Sequence, residues 1–153
     1  MTRRPTLLLT LAALATIAAC GTAASRDPDP EWSTIEANVP KRAVFDQTLR
    51  RDLTTYFKST DQPAATSVEW TLLRKQPTQA GAAYPKFYAW VRVMNGDAPL
   101  EQGAVRMEAI DGKRFDVRDF VSAAQVNENP DALRRVFPSP LVKDIVDRAA
   151  AAR

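Results

Sequence analysis

The sequence predicts an α+β fold: an N-terminal helix, a four-stranded antiparallel meander and short C-terminal helices. Three observations carry that expectation. Apolar residues first recur at steps of three and four, at Phe45, Leu49, Leu53, Tyr56 and Phe57, the spacing of one helical face. The period then falls to two over several segments joined by turn residues such as Asn95-Gly96-Asp97 and Asp111-Gly112, as in strands that follow one another antiparallel. Finally, Asn129-Pro130 and Ser139-Pro140 each set a capping side chain before a proline, the pattern of a helix start.

The segment before the first helix has a different character. Arg3 and Arg4 precede an apolar run, Leu7 to Ala19, that ends in small residues. Its thirteen residues make roughly 20 Å of helix, short of the ~30 Å hydrocarbon core of a bilayer. A basic start, an apolar middle and a small-residue end are the parts of an export signal. The single cysteine, Cys20, follows directly. The order Ile17-Ala18-Ala19-Cys20 resembles the lipobox of bacterial lipoprotein precursors. That resemblance implies cleavage before Cys20, diacylglycerol on its thiol, and a lipid-anchored protein of a Gram-negative cell envelope. Lipoproteins whose cysteine is followed by a residue other than aspartate commonly sort to the outer membrane, facing the periplasm, and Gly21 fits that pattern.

Two other readings of the leader stay open. A secretory signal cleaved after Ala24 would discard Cys20, and an uncleaved anchor would retain it; the run is short for a span and lacks a downstream basic flank. An oxidising compartment makes a lone thiol a liability unless it is capped, which lipid does. The division is therefore residues 1–19 as signal peptide, 20–37 as lipidated flexible tether and 38–153 as a single α+β domain. The tether is small, polar and proline-containing from Gly21 to Pro30, with little apolar area to offset the entropy of ordering it. Trp32 either docks on the body or rests at the membrane interface, and the area a tryptophan buries favours docking.

Within the body, Asp61-Gln62-Pro63 ends the first helix, because proline cannot continue its hydrogen bonding. Val68, Trp70 and Leu72 alternate with Glu69, Thr71 and Leu73 as a first strand. A loop from Gln76 to Pro85 leads to a second strand, Lys86 to Met94; a third runs from Gly103 to Ile110 and a fourth from Arg114 to Arg118. Asp119 to Ala124 reads as a short helical turn, and the last helix carries a stripe of Leu141, Ile145 and Ala149, with Val142 and Val146 beside it. One helix followed by four antiparallel strands resembles the cystatin-like arrangement in element order. The glutamine-valine-glycine hairpin of cystatin inhibitors is missing from the sequence, so protease inhibition is not implied.

Alternation also assigns faces. Val68, Trp70, Leu72, Phe87, Ala89, Val91, Val93, Val105, Met107, Ala109, Phe115 and Val117 share the side toward the first helix. The opposite side is polar except for Tyr88 and Trp90. Together with Arg92 these are residue types enriched at the energetic centres of interfaces, which makes Tyr88, Trp90 and Arg92 a candidate partner-binding site. The alternative is that the C-terminal helix covers Trp90, or that Trp90 packs on Arg106 and Leu73; the general burial of large aromatics favours it. The Gln76–Pro85 loop is a second recognition candidate and equally an ordinary connection.

Charge and inventory exclude much. The formal charge of +3 includes Arg3 and Arg4; without them 19 basic face 18 acidic side chains, which gives nucleic-acid binding no electrostatic support. There is no histidine, hence no histidine triad and no imidazole metal site. With Cys20 capped, no thiolate nucleophile or sulfur ligand remains, no cofactor is implied, and the Asn127–Asp131 stretch lacks an EF-hand spacing. A carboxylate pair, for example Glu101 or Glu108 acting with Asp111, is the one catalytic arrangement left. The expectation is a non-catalytic periplasmic protein-binding or envelope accessory module, anchored to the membrane through its N-terminal lipid. A small-ligand carrier with a helix–sheet cleft is the alternative, and a carboxylate hydrolase ranks below both.

Overall fold

The computed structural model describes residues 38–60, 62–80 and 83–152. The leader, the tether, Cys20, Trp32 and Asp61 therefore lie outside the described residues. Helix α1 spans Arg42–Ser59 and buries Phe45, Thr48, Leu49, Leu53 and Phe57. Burying each of the four large apolar side chains, Phe45, Leu49, Leu53 and Phe57, stabilises the fold by about 1.5–3 kcal/mol. The helix ends where the Thr60 backbone N–H and hydroxyl both turn back to the Tyr56 carbonyl, at 3.1 and 2.8 Å.

The four strands β1 (Ser67–Leu72), β2 (Lys86–Asn95), β3 (Ala98–Ile110) and β4 (Arg114–Ser122) form one open sheet in the order β1-β2-β3-β4. Every neighbouring pair is antiparallel. Gly96 (φ 59°) and the Asp111-Gly112 pair (φ 50° and 65°) occupy the left-handed region at the two tight turns, where glycine has no Cβ to clash and aspartate tolerates the strain. With the helices this is an α+β protein.

Two strands are longer than the alternation suggests, and irregular pairing explains both. Strand β3 begins at Ala98 rather than Gly103. Val93 pairs with Glu101 and Met94 with Pro99, so Leu100 is an extra residue. Strand β4 runs to Ser122 rather than stopping at Arg118. Met107 pairs with Val117 and Arg106 with Asp119, which leaves Arg118 as the inserted residue. A bulge shifts the parity of everything after it, so Phe120 continues the row of Phe115 and Val117 while Val121 faces the other way. The expected helical turn over 119–124 is thereby corrected: residues 119–122 are strand and α2 covers Ala123–Glu128.

Helix α2 starts on a capping box in which Ser122 Oγ accepts from the Gln125 backbone N–H and Gln125 Oε1 accepts from that of Ser122. A 3₁₀ helix over Pro130–Arg135 and helix α3 over Ser139–Ala151 follow. Both begin with proline in the first turn, but neither uses the expected side-chain cap: Asn129 makes no capping bond, and Ser139 lies inside α3 after Pro138. The proline ring sets helical φ on its own.

The sheet has a core on each face. Under α1 lie Phe87, Ala89, Val91, Val93, Val105, Met107, Ala109 and Phe115, with Phe45 ringed by Phe87, Phe115 and Trp70 at 5.1–6.4 Å between centroids. On the other face α2, the 3₁₀ helix and α3 supply Val126, Leu133, Leu141, Ile145 and Ala149 against Tyr88, Trp90 and Ala104, joined by Phe137.

Candidate functional site

The aromatic pair proposed for partner binding is covered. Tyr88 is 4% and Trp90 7% exposed, both beneath the C-terminal helices. The Tyr88 ring lies 6.1 Å from that of Phe137, and its hydroxyl shares a hydrogen bond of 3.0 Å with Thr78 Oγ1. Arg92 stays exposed on the same face and pairs with Glu69 across the strands at 3.1 Å. Tyr88, Trp90 and Arg92 thus do not form a contiguous exposed patch, because the stripe Leu141, Ile145, Ala149 needs an apolar surface and these two rings provide it.

Next to Tyr88 in register stands Arg106. Its guanidinium reaches Asp119 at 2.6 Å and donates to the Val136 carbonyl at 3.4 Å, tying β3 and β4 to the chain between the C-terminal helices. Asp119 Oδ2, the oxygen held by Arg106 Nη2, is buried, and Arg106 Nε beside it is buried without a hydrogen-bond partner among the described residues. The charge attraction joins β3 to β4 in a partly desolvated setting, and the bond to the Val136 carbonyl is the link to the helical layer.

The three acids weighed for catalysis stand apart in function. Glu101 accepts from Gln62 Nε2 at 3.1 Å, Glu108 binds Arg118 at 2.8 Å, and Asp111 sits in the left-handed turn after β3. Glu101 is separated from the Asp111 turn by the strand from Glu101 to Ile110, roughly 30 Å at ~3.4 Å per residue. Among the described residues no group of three or more His, Cys, Asp or Glu side chains is placed to hold a metal ion. The cleft a ligand carrier needs between α1 and the sheet is occupied by Leu49, Leu53, Phe57, Val91 and Val105, each at most 1% exposed.

An open backbone edge is the feature that alternation could not reveal. Residues 98–102 of β3 pair with β2, but β4 joins β3 only from Gly103 onward. On the β4 side this stretch has no strand neighbour among the described residues. An open groove runs beside it, lined by Pro99, Leu100, Glu101, Gln102, the Ser122–Ala124 start of α2 and Ala152. Leu100, the inserted residue, is 38% exposed there. Backbone groups without a β4 partner beside a shallow groove of mixed polar and apolar lining can accept an extended segment as an added strand. The chain matches no family model, no curated protein and no solved structure.

Proposed function

We propose that the protein is a lipid-anchored periplasmic lipoprotein of the cell envelope, acting as a non-catalytic accessory module that docks another envelope protein. The observation that carries this is the N-terminal order: two arginines, a thirteen-residue apolar run, two alanines and then the only cysteine of the chain. A cysteine placed at random has no reason to sit at the one position where lipid transfer acts. Two features of the body support docking over turnover or carriage: a helix–sheet interface filled with side chains, and the unpaired 98–102 edge beside its groove.

Cys20→Ser tests the anchor. The variant is expected to accumulate as unprocessed precursor and to take up no labelled palmitate, whereas continued labelling contradicts the assignment. Docking is tested by a photo-crosslinking residue placed at Leu100 and, separately, at Val44 on the outer side of α1. A discrete adduct from Leu100 with none from Val44 is expected in intact envelopes. The absence of any adduct from Leu100 contradicts docking at this edge.

A further inference from the structure

The meander gives the body two distinct ends, and their charges differ. One end gathers the exit of β1, the start of β2 and the β3–β4 turn; the other holds the start of β1, the β2–β3 turn and the end of β4. Helix α1 follows the same axis: Phe45 packs on Phe115, and Phe57 packs on Phe120. The Gly112 N–H donates to the Asn38 carbonyl at 2.9 Å, so the chain from Cys20 joins the body at the first end. Lys41, Arg74, Lys75, Lys86, Lys113 and Arg114 all lie there. Acids are present too: Glu108 is engaged by Arg118, a cation outside these six, and Asp46, Asp111 and the Arg114-paired Asp116 oppose them, three acids against six cations. The opposite end carries Lys58 against Asp97 and Glu101. Tyr84, one of three exposed large hydrophobic side chains among the described residues, sits at the cationic end just before β2.

We propose that the cationic end is the membrane-facing end of the body and rests on anionic phospholipid headgroups through Arg74, Lys75, Lys113 and Arg114, with Tyr84 at the interface. This rests on the assignment of Cys20 as the lipidated residue. The occupant follows from where the outside chain ends. Seventeen residues lie between Cys20 and Asn38, a reach of at most ~65 Å, long enough to let the body turn over yet joined to it at the end that carries the excess cations. Basic side chains near an anionic leaflet each add attraction that decays within a Debye length, and tyrosine prefers the headgroup level. Lipid holds the protein on the bilayer; the cations set which way it faces.

The test uses the full chain, produced with its own leader and reconstituted into phosphatidylcholine vesicles with or without phosphatidylglycerol. An environment-sensitive fluorophore is placed through Gln76→Cys at the cationic end or Asp97→Cys at the other. The probe at 76 is expected to shift to the blue only in phosphatidylglycerol vesicles and to lose the shift in high salt, while the probe at 97 stays in water. Lys75→Gln, Lys113→Gln and Arg114→Gln together are expected to shift the balance toward undocked orientations by roughly tenfold or more, with an unchanged denaturation midpoint showing that the variant folds. Equal emission from the two sites, or a shift at 97 alone, overturns the proposal. Mass spectrometry of the same material separates the two assignments. An unmodified Cys20 removes the anchor, and the orientation then stands or falls on whether the unlipidated chain still binds phosphatidylglycerol vesicles through the end that bears residue 76.

Discussion

Gly103 marks the point where β4 joins β3, and it has no room for a side chain. A Cβ there would press on the Val121 carbonyl oxygen and lie 2.5 Å from Phe120 Cε2 and 2.8 Å from Ser122 Cα. Two of those atoms are backbone, so the sheet itself must shift. Gly103→Ala is expected to lower stability by about 2–3 kcal/mol in chemical denaturation. Asp52 is a second such residue. Its Oδ2 accepts from the Phe115 backbone N–H at 2.7 Å, and Oδ1 accepts from Arg51. The carboxylate therefore satisfies the outer edge of β4 from α1. Asp52→Ala leaves that donor without its partner and should cost about 1–3 kcal/mol, whereas Arg50→Ala on the exposed side of α1 should leave the midpoint unchanged.

At the scale of elements, α3 is fixed by its apolar stripe. Ile145 is fully buried at the centre of the second core. Ile145→Ala should destabilise by about 2–5 kcal/mol and increase the quenching of Trp90 fluorescence by acrylamide. On the exposed side, a hydrogen bond from Lys143 to Asp147, together with the charge of Asp147, raises the lysine pKa above its ordinary value. A raised folded-state value means that this contribution is complete below the ordinary lysine range and is lost as pH climbs through the folded value. The difference in thermal stability between the wild-type protein and Lys143→Gln should therefore be constant around neutrality, small because the pair is exposed, and should vanish only in strong alkali.

Elements whose side chains obey a single period were legible in the sequence. The α1 stripe and the inward rows of β1 and β2 need only alternation or helical spacing. The outer reaches of β3 and β4 were not legible, because bulges at Leu100 and Arg118 change the parity that alternation depends on. Capping at Asn129 and Ser139 also looked plausible locally, yet proline sufficed. The fate of Tyr88 and Trp90 was decided by tertiary packing, since a helix stripe and a pair of rings far apart in sequence had to meet. No local pattern encodes the open edge at 98–102, which exists only because β4 turns into α2 at Ser122.

For the whole molecule, the open sheet packed on both faces gives a body stabilised without disulfides, and the chain's only cysteine, the proposed point of attachment, precedes it in sequence. Among the described residues no helix is long and apolar enough to cross a membrane; the proposed anchoring rests on the residues that precede Cys20. The proposed lipid attachment would divide the work physically: acyl chains would supply retention at ~0.8 kcal/mol per buried methylene, and the charged end would supply orientation. The most direct measurement is mass spectrometry of the N-terminal peptide from protein purified out of envelopes. It should begin at Cys20 and carry the added mass of a diacylglyceryl group on sulfur. A free thiol at Cys20, or a mature chain that begins beyond it, would contradict the account.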